Sequence, residues 1–67
     1  MTLKDFAEKR GIKGKVIANR AGITKDIFYQ IFRGDRAPTD SERQGIVVVL
    51  REMLNRPRLT HKDVWGG

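Results

Sequence analysis

Cysteine is absent from this 67-residue sequence, which removes disulfides and thiolate metal sites from consideration. Histidine occurs once, as His61. A zinc site draws on several ligands, so His61 reads as a solvated side chain, and no cofactor is expected. No apolar run approaches the roughly 20 residues that cross a bilayer. The opening residues, MTLKDFAEKR, are charged and lack the apolar core of a signal peptide. A cytoplasmic protein with no membrane partner is the expectation. Gly-rich loops of nucleotide-binding spacing, internal repeats and low-complexity tracts are missing too. No pair of carboxylates stands in a pattern suited to acid–base chemistry. Neither an enzyme nor a small-molecule receptor is expected.

Acidic residues are in short supply: 8 Asp and Glu against 14 Lys and Arg, a net charge of +6. The basic residues run from Lys4 to Lys62 rather than gathering in a tail. That spread favours a folded domain with a positive face over a disordered basic arm. A polyanion is the partner such a face suits, and nucleic acid is the commonest polyanion. At this length a single domain over 1–67 is expected. Such a domain buries only ~60% of its unfolded surface, so it needs compact helix packing, a partner, or both.

Apolar spacing is helical nearly throughout. Thr2, with Asp5 three residues on, caps a first helix whose inner face is Leu3, Phe6 and Ala7, and Gly11 ends it. A second helix is expected over Gly14–Ala21, with Val16, Ile17, Ala18 and Ala21 as its apolar set, closed by Gly22. Thr24 is placed to cap a third, Lys25–Arg33, which Gly34 ends. After the loop GDRAP, Thr39 and Glu42 form a Ser/Thr-x-x-Glu capping box. They open the longest helix, which runs to Leu54 with Ile46, Val47, Val49, Leu50, Met53 and Leu54 inward and Val48 outward. The valine run leaves a strand at Gly45–Leu50 as the local alternative. Pro57 interrupts, and Thr60 with Asp63 caps a last turn reaching Trp65.

The stretch DIFYQIF, Asp26–Phe32, has a strand-like composition. Counted around a helix, however, Ile27, Phe28, Ile31 and Phe32 fall within an arc of about 140°. Lys25, Asp26, Tyr29, Gln30 and Arg33 occupy the remainder. A strand would mix both faces. The Phe pair is therefore expected in the core, with Tyr29 the aromatic that faces out.

The segment VIANRAGITKDIFYQIFRGDRAP, Val16–Pro38, resembles the helix-turn-helix of the lambda-repressor-like, or XRE/Cro, family. That family's run of an apolar–Ala pair, two polar residues, a small residue, Gly, an apolar residue and Ser or Thr reads here as Ile17, Ala18, Asn19, Arg20, Ala21, Gly22, Ile23 and Thr24. Leu3, Phe6, Gly11 and Ile12 match its first helix and following turn, so the similarity covers roughly Leu3–Leu54. The resemblance implies an all-α bundle of about five short helices. It also implies a phage or bacterial transcription regulator, Cro-like, whose third helix enters the major groove of an operator.

Carried over residue by residue, the resemblance assigns base reading to Lys25, Asp26 and Gln30, with Tyr29 beside them. Lys25 would donate to guanine, Gln30 would pair with adenine, and Asp26 would accept from cytosine. Alternatively Asp26 orients Lys25 or Arg20, or reinforces the helix start. Phosphate contacts fall to Lys13, Lys15, Thr24, Arg33 and Arg36 and to backbone amides near Gly14 and Gly34. Two positions depart from the pattern. Gly14 stands where many members have a DNA-touching Gln. Ala7 and Phe32 stand where many bury an Arg–Glu pair. Two-fold operators imply a homodimer, formed in solution or only on DNA, with Val48, Leu59, Val64 and Trp65 as candidate interface residues. A helical protein-interaction module, such as an antitoxin domain or phage accessory factor, is the rival reading. An RNA-binding module would want more exposed aromatics than Tyr29 and Trp65.

Overall fold

The computed structural model describes residues 1–66. Among them are five helices and no strand: α1 (Leu3–Lys9), α2 (Gly14–Ala21), α3 (Lys25–Arg33), α4 (Asp40–Leu54) and α5 (His61–Trp65). The valine run of α4 is thus helical. The cap that precedes it and the helix formers that follow outweigh the modest propensity of three β-branched residues.

Three of the helix starts are held by reciprocal caps. Thr2 Oγ1 accepts from the Asp5 amide and Asp5 from the Thr2 amide, both at 3.1 Å. Thr39 and Glu42 do the same at 3.2 and 2.9 Å. Thr60 and Asp63 repeat it at 3.4 and 2.9 Å. Each box satisfies two amides that the helix itself leaves without acceptors.

Every helix contributes to one core, made of Leu3, Phe6 and Ala7 from α1, Ile17 and Ala18 from α2, Phe28, Ile31 and Phe32 from α3, and Ile46, Val47, Val49 and Leu50 from α4, joined by Leu59 and Val64. α2 packs on α3 and α4, α1 on α3 and α5, and α4 on α5. Arg51 ties the last connection: its Nε donates to the Leu59 carbonyl at 2.7 Å. No buried side-chain polar atom among the described residues lacks a partner. Ala7 and Phe32 are both buried apolar residues, and neither needs a counter-charge.

Leu59 and Val64 correct an expectation. Both are core residues, 1% and 0% exposed, and neither is available to a second copy. α5 folds back onto α1 and α4 and turns Val64 inward. Val48 does face solvent, at 39% exposure. Trp65 is half-buried against the core.

Candidate nucleic-acid interface

The turn between α2 and α3 depends on Gly22, whose φ of 70° lies in the left-handed region, where a β-carbon costs roughly 1–2 kcal/mol. The Gly22 and Ile23 amides donate back to the Asn19 and Ala18 carbonyls at 3.4 and 3.1 Å. The chain then reverses within three residues, and α3 starts at Lys25. Ile23 is half-buried and packs on the core beneath the turn.

The first residue of α2, Gly14, lies against the aromatic side chains of α3. Gly14 is buried, and a β-carbon built on it would stand 3.2 Å from the Phe28 ring and 3.3 Å from the Phe32 ring. The two rings lie 5.5 Å apart, centroid to centroid. A side chain at position 14 would thus be tightly packed against both rings, a constraint visible only once the α3 aromatics are set against the first turn of α2. Lys13 and Lys15 flank Gly14 and are exposed.

On α3, Lys25, Asp26, Gln30 and Arg33 are exposed. Tyr29 is not fully outward as expected. It is half-buried, with its ring edge-on to Phe28 at 5.6 Å and to Phe32 at 5.8 Å. The apolar body of a tyrosine gains from such contacts while its hydroxyl stays wet. Ile27 lies half-buried at the margin of the apolar stripe, leaving Phe28, Ile31 and Phe32 as its buried centre.

The starts of α2 and α3 differ from those of the other three helices. Lys13 and Thr24 occupy the N-cap positions with extended backbone, and neither side chain accepts a hydrogen bond from its helix. For Thr24 this departs from expectation. The residue three on is Ile27, so the reciprocal half of a capping box is missing. Asp26 forms no ion pair with Lys25 or Arg20 among the described residues, and its charge lies in the first turn of α3, where the helix dipole favours it.

At the far end of α3 the amides are already engaged. Gly34 N–H donates to Ile31 at 3.1 Å, and Asp35 and Arg36 N–H donate to the Gln30 carbonyl at 2.8 and 3.2 Å. The backbone around Gly34 therefore closes the helix and is not free to hold a phosphate. Arg33 Nε donates to Asp35 at 3.1 Å, with both side chains more than half exposed. Arg36 is exposed and forms no ion pair among the described residues.

The structure thus brings Gly14 against α3, with the exposed Lys13 and Lys15 on either side of it in the chain, and leaves Lys25, Asp26 and Gln30 exposed on α3. It withdraws the Gly34 backbone, and it turns Tyr29 partly inward. Comparison with protein-family profiles, characterised proteins and solved structures finds no match to this chain.

Proposed function

We propose that this chain is a sequence-specific, double-stranded-DNA-binding regulator of the helix-turn-helix kind, Cro-like, from a phage or a bacterium. One observation carries the reading. The two helices that the resemblance assigns to DNA are the two whose first turns have no side-chain cap, and both start beside exposed lysines. Free amides at a helix N-terminus, reinforced by the helix dipole, hold phosphate oxygens well.

In this reading Gly14 is buried and leaves the contact to its neighbours: the amide of Lys15, with the ammonium groups of Lys13 and Lys15, holds one phosphate strand. α3 lies in the major groove, where Lys25 donates to guanine and Gln30 bonds adenine through both ends of its amide. Asp26 accepts from cytosine N4. Tyr29, held edge-on by two Phe rings, limits how deeply the helix enters. Arg33 and Arg36 meet the flanking phosphates, and Arg33 exchanges Asp35 for one. Regulation follows from occupancy: the bound protein excludes polymerase from the site or contacts it there.

A domain this small gains specificity by doubling, with two copies on two half-sites one helical turn apart. With Leu59 and Val64 in the core, the candidates left for a second copy are the α4 face around Val48 and the half-buried Trp65. Ultracentrifugation of the protein alone and with duplex tests the stoichiometry. Two copies per duplex support the reading, and one copy per duplex at saturation removes the dimer from it.

A further inference from the structure

Two grooves share Arg43 and His61 in their linings. One of them, about 540 Å³, has Ile31, Pro38 and Trp65 among its apolar lining and Arg36, Arg43 and His61 among its polar lining. None of its lining residues is acidic. The closest pairing is Asp40, 3.5 Å from Arg43, and the Asp40 side chain is fully solvated, so it neutralises Arg43 only weakly. Trp65 is half-buried and lines this groove.

Charge and shape select the occupant. Tryptophan and arginine are the side chains most enriched among residues that dominate protein–protein binding energy. A DNA backbone would satisfy the arginines but would leave an apolar floor facing phosphates. None of Lys25, Asp26, Tyr29 and Gln30 lines the groove, so it is separate from the residues assigned to bases and shares Arg36 with those assigned to phosphates. We propose that this groove docks an acidic peptide segment of another protein, anchored by one bulky apolar side chain. The anchor lies on Trp65 and Pro38. Carboxylates flanking it pair with Arg36 and Arg43, and the His61 ring supplies a further N–H donor. The inference does not depend on the DNA reading.

Trp65 is the chain's sole tryptophan, so its fluorescence reports on the groove directly. The probe is an eight-residue synthetic peptide in which aspartates and glutamates flank a leucine–phenylalanine pair. The expected result is a saturable change in Trp65 emission. Arg36→Ala and Arg43→Ala each raise the midpoint about tenfold, the loss typical of a hydrogen bond to a charged group. Arg56→Ala, at an exposed arginine outside the groove, leaves it unchanged. Circular dichroism checks that Arg43→Ala is folded, and Arg36, in an exposed loop, gives an independent variant. Four results each overturn the proposal: no saturable change; an equal response to a peptide with alanines in place of the apolar pair; an equal response to duplex DNA; or a Trp65 change on concentrating the protein alone, which would make the occupant a second copy.

Discussion

Gly14 faces the Phe32 ring, and a β-carbon built on it would lie 3.3 Å from the ring edge. The same β-carbon would lie 3.2 Å from Phe28. This contact is one of those that pack α2 on α3. A large apolar side chain there would press on both rings. Gly14→Leu is expected to destabilise the domain by ~1–3 kcal/mol through overpacking, read as a lower midpoint in urea. It should also weaken DNA binding beyond what the lost stability explains, because the two helices are forced apart.

Phe28 is fully buried and touches both its aromatic neighbours. Phe28→Ala removes the centre of the α3 stripe, at a cost of ~3–5 kcal/mol. Domains of this size have little stability in reserve. The expected result is a largely unfolded chain at 25 °C, seen as loss of the helical circular dichroism signal and of chemical-shift dispersion.

The exposed side chains of α3 should behave differently from the phosphate contacts. Lys25→Ala and Gln30→Ala are each expected to cost ~1–3 kcal/mol of binding and to relax preference at a single base position, with stability nearly unchanged. Arg36→Ala should weaken all duplexes about equally and reduce the salt slope by about one. Titration of each variant against a panel of single-base-changed duplexes separates the two patterns.

The caps of α1 and α5 carry a pH dependence. The Thr2 backbone amide, and after it the Thr2 side chain, holds the Asp5 carboxyl below its ordinary range. The Thr60 amide and hydroxyl act on Asp63 in the same way. Because the folded-state values are depressed, these groups stabilise the fold above the ordinary carboxylate range near about 4. That contribution is lost as pH falls through the lower folded-state values. Thermal melts should shift downward between pH 6 and pH 3. The shift should shrink in a variant carrying both Asp5→Asn and Asp63→Asn.

Much of the fold was legible because its signals are local. The spacing of Phe28, Ile31 and Phe32, and the boxes at Thr39–Glu42 and Thr60–Asp63, act within one or two helical turns. Accordingly, α2, α3 and the end of α4 fall where the pattern put them. Features that depend on what packs against what were not legible. Val64 and Leu59 read as surface candidates until α5 was seen to fold onto α1 and α4. Tyr29 counted as outward on a helical wheel, which cannot show that neighbouring Phe rings draw in its ring. The Gly34 amides looked free in the sequence, but they are committed to the Gln30 and Ile31 carbonyls. Gly14 read as a missing DNA contact, and its packing against two aromatic rings appears only in three dimensions. Nor could spacing along the chain bring Arg43 and His61 to one groove.

The central claim is that α2 and α3 together read DNA. It is tested most directly by selecting bound duplexes from a random pool with the wild-type chain and with Gln30→Ala, then titrating the selected duplex at 50 and 200 mM salt. The account predicts one enriched motif with two-fold symmetry, altered at one position per half-site by Gln30→Ala. It also predicts an affinity that falls by roughly 10³–10⁵ over that salt range if about 6–10 phosphates are contacted. An unenriched pool, or an enriched motif that Gln30→Ala leaves unchanged, would contradict it.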